Sequence, residues 1–241
     1  MTVLGFPAAV YVVGITSLLF YEGGNPQNLF LLVGTGFLAL GIYMFHRTNV
    51  VAVLPMQKRH QLALQHRCAL LIISSICLAI SISVFALYKP IALLLIAGSV
   101  VGIVVYGKRH ITKPLRNYLY VKPWAVGVSI ALFAWALNDF SNRALVIFGF
   151  AMLCSADALI CDIVDRDYDA ATDCLTFAKK FGEHSTWFVA VIFYLIFGLI
   201  LHSSVGWVFI LLFPIPLLSK QFLRTIVDFR PLVVLLIAWS L

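Results

Sequence analysis

The chain has 241 residues, of which 62% are hydrophobic and only 11% charged, and its mean hydropathy is +1.01. That composition excludes an ordinary soluble domain and leaves a polytopic membrane protein with enough residues for one helical bundle. The net charge of +7 argues for membrane orientation rather than nucleic-acid binding, because an excess of Lys and Arg in such a protein sets which loops stay inside.

Nine apolar stretches predict transmembrane helices at about 3–20, 28–45, 68–88, 90–106, 123–138, 143–162, 185–202, 205–219 and 229–241. The expected fold is therefore all-α, a single membrane-embedded bundle over residues 1–241. The first stretch has no basic region before it and reads as a retained span rather than a cleavable signal. The fourth is short and contains glycine, and the eighth holds Pro214 and Pro216, which predict a broken or kinked helix. The last is barely long enough to cross.

Fifteen of the seventeen Lys and Arg residues fall in the loops after stretches two, four, six and eight; only Lys89 and Arg143 lie on the other side. The positive-inside rule then places the N-terminus and these loops in the cytoplasm, at the plasma or inner membrane if the source is bacterial. Cys68, Cys77, Cys154, Cys161 and Cys174 show neither disulfide nor metal-ligand spacing and read as small core residues.

Six of the eight aspartates sit within seventeen residues, from Asp157 to Asp173, directly against the sixth stretch. On a helix turning about 100° per residue, Asp162, Asp165, Asp169 and Asp173 fall at roughly 0°, 300°, 340° and 20°, one stripe on one face. Asp167 points the other way. Carboxylates at i, i+3 and i+4 repel each other, so the stripe calls for a cation, and a hard ion such as Mg²⁺ suits oxygen ligands. The same residues place Asp165, Asp167, Asp169 and Asp173 at EF-hand positions 1, 3, 5 and 9. However, Ala170 stands where that loop needs Gly and Thr176 where it needs Glu. Asp157 lies off the stripe and deeper; an intramembrane carboxylate invites a functional reading, although a partner such as Ser155 or Tyr106 could satisfy it. Asn138 and Asp139 read as a polar turn on the far side.

Read from Asp162, the stretch runs D-x-x-D-x-x-x-D-x-x-x-D-x-x-T and is followed by Gly182. It resembles the second aspartate-rich motif of the UbiA superfamily of intramembrane prenyltransferases, with Asp162, Asp165, Asp169, Thr176 and Gly182 matching and Asp173 standing where the family has Gly. Tyr106 before a basic loop, the Val121-Lys122-Pro123-Trp124 stretch and Ala134-Trp135-Ala136 extend the likeness to roughly residues 30–200. The resemblance implies nine spans and Mg²⁺-dependent transfer of an isoprenyl group from its diphosphate, with Mn²⁺ as an alternative metal. Asp162, Asp165 and Asp169 would hold the metal. Arg47, Tyr106, Lys113 and Lys122 would hold the diphosphate, and Lys122 would also offset the departing charge. The partners implied are a prenyl diphosphate, a lipophilic and in many members aromatic acceptor, and membrane lipid.

The first aspartate-rich motif of that family is not intact. At the end of the second stretch the chain reads Tyr43-Met44-Phe45-His46-Arg47-Thr48-Asn49-Val50, with His46 and Val50 at the aspartate positions and no carboxylate between Glu22 and Asp139. Two outcomes are open on physical grounds. One metal on the surviving stripe suffices, with Arg47 and a protonated His46 answering the diphosphate; or the bundle binds a prenyl lipid without turnover.

Overall fold

The computed structural model describes residues 5–48, 58–107, 119, 121–139, 143–171, 174–211 and 220–240, with the side chains of 58–60, 99, 100, 102–107, 204, 211 and 221 excepted. Within them lie eleven helices and no strand: α1 (Phe6–Glu22), α2 (Leu29–Arg47), α3 (Lys58–Gln65), α4 (Arg67–Tyr88), α5 (Ala92–Gly107), α6 (Val121–Leu137), α7 (Ala144–Ala171), α8 (Phe177–Phe181), α9 (Glu183–Leu201), α10 (Ser204–Leu211) and α11 (Lys220–Ser240). The all-α expectation holds. Each predicted stretch overlaps one of these helices. By length and composition α2, α4, α7 and α9 are able to cross a membrane, and α1 and α6 are shorter apolar helices. The outer face of α4 shows what such a helix presents to lipid: Ile72, Ile73, Ile76, Ile80 and Ile82 are all exposed.

Helix ends follow local chemistry. The Asn28 side chain accepts from the Leu31 amide at 3.2 Å and caps α2, and Thr176 caps α8 by accepting from the Lys179 amide. Gly182 breaks the chain between α8 and α9 at φ +87°, a conformation that costs any residue with a Cβ. Two of the motif residues, Thr176 and Gly182, therefore shape backbone.

The bundle is arranged around α7. It packs against α6, α8, α9 and α11, and its buried residues run from Ile147 through Asp162 to Asp169. Phe150, Phe197 and Phe209 meet edge to face at 5.4 Å in the main core. A second core joins α1, α2, α4, α5 and α6 through Phe20, Leu38, Phe85, Ile96 and Phe133. Between α6 and α7 the approach is so close that a Cβ on Gly127 would lie 2.1 Å from Ser155 Oγ and 2.5 Å from the Ala151 carbonyl. That contact fixes the first half of α6 against the first half of α7.

Asp157 is satisfied, though not by Ser155, whose hydroxyl has no hydrogen-bond partner among the described residues; the side chain of Tyr106 lies outside them. Tyr11 of α1 donates to it at 2.8 Å, Tyr194 of α9 donates at 2.6 Å, and Arg230 of α11 forms an ion pair with it. The Arg230 guanidinium also lies over the Tyr194 and Phe209 rings, at 4.6 and 5.0 Å from their centroids. Asp157 and Arg230 are 3% and 2% exposed, so the pair is sequestered from water and cross-links four helices.

The last helix begins nine residues earlier than the predicted stretch at 229–241. Hydropathy alone stops at the charged residues 220–230. Helical spacing instead buries Leu223, Val227, Arg230, Val234 and Ala238 on one side, and Arg224 pairs with Asp228 one turn on. Pro231 lies inside this helix.

Polar contacts sort to the two ends. At one end Asn25 donates to Asn138 at 2.6 Å, Ser203 donates to Glu22 at 2.8 Å, and Lys89 pairs with Asp139, as the polar-turn reading of Asn138 and Asp139 expects. The other end gathers the C-termini of α2 and α7 and the N-termini of α6, α9 and α11.

Candidate functional site

The last three turns of α7 carry the aspartate stripe at that second end. A helix of 28 residues is about 42 Å long, more than the roughly 30 Å of a hydrocarbon core. Its terminal turns therefore have length to spare for polar work. Asp162 is 1% exposed and Asp169 7%. Seven residues bring two positions back to nearly one face, and one side chain reaches both: Lys122, at the start of α6, pairs with Asp162 and lies 3.3 Å from Asp169 Oδ2. Asp165 leans to the neighbouring side, where Arg224 Nη1 of α11 donates to its two oxygens at 3.1 and 3.4 Å. Arg224 Nε lies 3.9 Å from Asp228. Asp167 faces away, 76% exposed at the side chain and 3.6 Å from Lys220.

The structure thus brings Asp162, Asp169 and Lys122 together and sets Asp165 beside them with Arg224. The repulsion along the stripe is relieved by protein cations, where the sequence led us to expect a metal. Among the described residues no group of three or more His, Cys, Asp or Glu side chains is placed to hold a metal ion, because Lys122 occupies the space between two of the carboxylates and Arg224 draws the third toward α11. Among the described residues none donates a hydrogen bond to Asp162 Oδ2, in spite of its burial. A buried carboxylate oxygen without a donor is costly, and oxygen donors of this kind fit a hard divalent cation.

Arg47 lies at the end of α2, 6% exposed. Its Nη2 donates to the Tyr43 hydroxyl, its guanidinium sits 4.7 Å from the centroid of the Tyr43 ring, and its Nε has no hydrogen-bond partner among the described residues. No carboxylate among the described residues pairs with it. The end of α2 lies at the same end of the bundle as the stripe. His46 is half-buried one residue before Arg47. Val50, Lys113 and Asp173 lie outside the described residues, as does the side chain of Tyr106.

Arg224 is the site residue that sequence reasoning missed, since it counted only as orientation charge in a loop. The signal that could have found it is the Arg224–Asp228 spacing followed by buried positions at helical intervals. Glu183, paired with Arg166 at 3.3 Å and with Lys220 at 3.0 Å, closes a more exposed ring of charge around the same end.

A sequence model described as the UbiA prenyltransferase family matches residues 62–231, a span that includes Lys122, the α7 stripe and Arg224. No curated protein matches. Among solved structures the fold is similar to one described as a UbiA homolog from Archaeoglobus fulgidus bound to DMAPP and Mg²⁺. The TM-score is 0.60 at 12% identity, over 100% of this chain and 88% of that one. With well over half of the sequence matched and the whole chain following the same fold, this protein belongs to the UbiA prenyltransferase family.

Proposed function

We propose that the chain binds a prenyl diphosphate at the end of the bundle that carries Arg47, Lys122, the α7 stripe and Arg224, and transfers its isoprenyl group to a lipophilic acceptor such as an aromatic ring. The observation that carries this reading is that the bundle end bearing the carboxylate stripe also holds Arg47, a buried guanidinium that has no carboxylate partner among the described residues. A sequestered cation of this kind favours an anionic ligand. Family membership and the dimethylallyl diphosphate and Mg²⁺ held by the archaeal neighbour support the same ligand class.

In the reaction the allylic C–O bond breaks heterolytically and its electron pair leaves with the diphosphate. The acceptor's electron pair then forms the new bond to the allylic cation, and the acceptor loses a proton. Arg47 and Lys122 offset the charge that grows on the leaving group, and Tyr106 and Lys113 complete the diphosphate-binding set. Asp162, Asp165 and Asp169 are the residues that would hold Mg²⁺ or Mn²⁺, which when bound supplies Lewis acidity toward the diphosphate. The isoprenyl tail lies between apolar helices, shielded from water. By the distribution of Lys and Arg, the site opens to the cytoplasm.

A second reading has its own support. His46 stands where the family's first motif has aspartate, and the surviving carboxylates are already paired with Lys122 and Arg224. On that reading the bundle binds a prenyl lipid without turnover. Incubating the purified protein with labelled dimethylallyl, geranyl, farnesyl and geranylgeranyl diphosphates under Mg²⁺ or Mn²⁺ separates the two. Diphosphate release that depends on the metal is the expected result; binding without release establishes the second reading.

A further inference from the structure

The stripe is held by two cations of the protein's own, drawn from two different helices. Lys122 of α6 spans Asp162 and Asp169, and Arg224 of α11 holds Asp165 at 3.1 Å. Asp228 adds a fourth carboxylate through Arg224. Lys122 and Arg224 have partly exposed heads, and Arg47 adds a buried guanidinium at the same end.

Such a cluster resists either ligand alone. A divalent cation arriving by itself meets an ammonium already seated between Asp162 and Asp169 and must displace it into a region where Arg47 and Arg224 repel it. A diphosphate arriving by itself meets the carboxylates. Arriving together they nearly cancel, and the displaced Lys122 and Arg224 find new oxygens on the phosphate. Arg and Lys both serve as phosphate ligands, Arg through its planar fork and Lys as a point charge. Asp162 Oδ2, buried and without a donor among the described residues, is a free ligand position that Lys122 does not use.

We propose that Lys122 and Arg224 are exchangeable counter-ions: they occupy the carboxylate stripe when no ligand is bound and move to the diphosphate when a divalent ion takes their place. Metal and diphosphate therefore bind as a coupled pair. This rests on the diphosphate reading of the site and adds Arg224 to it as a positioning residue. It also adds a cost for metal binding that neither the stripe nor its spacing reveals.

The test uses the full chain in lipid nanodiscs, with Mn²⁺ followed by electron paramagnetic resonance and inorganic diphosphate as the second ligand. In the wild type, Mn²⁺ alone binds weakly, and saturating diphosphate tightens it by about tenfold or more, within the range of coupling between linked sites. Lys122→Gln and Arg224→Gln, measured separately, each bind Mn²⁺ alone more tightly than the wild type and gain less from diphosphate. Lys122→Arg, which keeps the cation, retains wild-type coupling. Mn²⁺ bound by the wild type equally well with and without diphosphate overturns the exchange while leaving the metal–diphosphate reading standing. So does Mn²⁺ affinity that falls in both Gln variants. Absence of Mn²⁺ binding in every protein, with and without diphosphate, overturns that reading as well. Absence of coupling in the wild type overturns the exchange whether or not a variant folds, and the Gln variants separate exchange from plain ligation of the metal by diphosphate.

Discussion

Asp165 and Asp167 are two residues apart on one helix and live in different surroundings. Asp165 is held by Arg224 against the bundle, and Asp167 projects outward, with Lys220 at 3.6 Å. Asp165→Ala should therefore abolish metal-dependent binding of prenyl diphosphate. Asp167→Ala should leave affinity unchanged and shift stability by no more than about 0.5 kcal/mol, as exposed substitutions do; isothermal titration and thermal unfolding of both variants check this. Equal losses of binding in the two would contradict the stripe. The contrast was legible in the sequence, because a 100° turn per residue separates these two positions without any knowledge of the fold. The cation facing each carboxylate was not legible, since Lys122 and Asp169 are 47 residues apart. At Arg47, the loss of charge-assisted hydrogen bonds costs about 1.5–3 kcal/mol. Arg47→Gln should thus raise the dissociation constant for prenyl diphosphate by roughly ten- to a hundredfold.

Among the elements, α7 sets the geometry that the others read. Its position against α6 depends on the absence of a side chain at Gly127. Gly127→Ala must push the two helices apart, at about 1–3 kcal/mol for such overpacking. It should lower the melting temperature and weaken metal-dependent binding together, since Lys122 is carried by the same helix. One turn before the stripe begins, Asp157 does a different job. It ties α1, α9 and α11 to α7 through Tyr11, Tyr194 and Arg230. Asp157→Ala leaves Arg230 buried without its counter-ion and should cost about 3–5 kcal/mol, whereas Asp157→Asn combined with Arg230→Met removes both charges and should cost less. Thermal unfolding of the two proteins in one detergent checks the order. The sequence marked Asp157 as expensive but did not reveal Tyr11, Tyr194 or Arg230 as its partners. Tyr11 is 146 residues away, and the last apolar stretch, 229–241, leaves out Arg224.

For the molecule as a whole, the membrane class and the all-helical bundle followed from composition and apolar runs, because a bilayer admits few other ways to satisfy a buried backbone. Fold and family agree with that reading. Less visible was the economy of charge at the site-bearing end. An amino-acid chain shows which residues carry charge, but only packing shows that Lys122 and Arg224 neutralise a stripe that looks, on a helical wheel, to be waiting for metal. The central claim is that this end of the bundle takes up a prenyl diphosphate together with a divalent ion. Its most direct test is equilibrium binding of labelled prenyl diphosphates to the nanodisc-embedded protein, in Mg²⁺ and in a chelator. Saturable binding that requires Mg²⁺ is the predicted result; binding that is the same in the chelator, or absent in both, would contradict it.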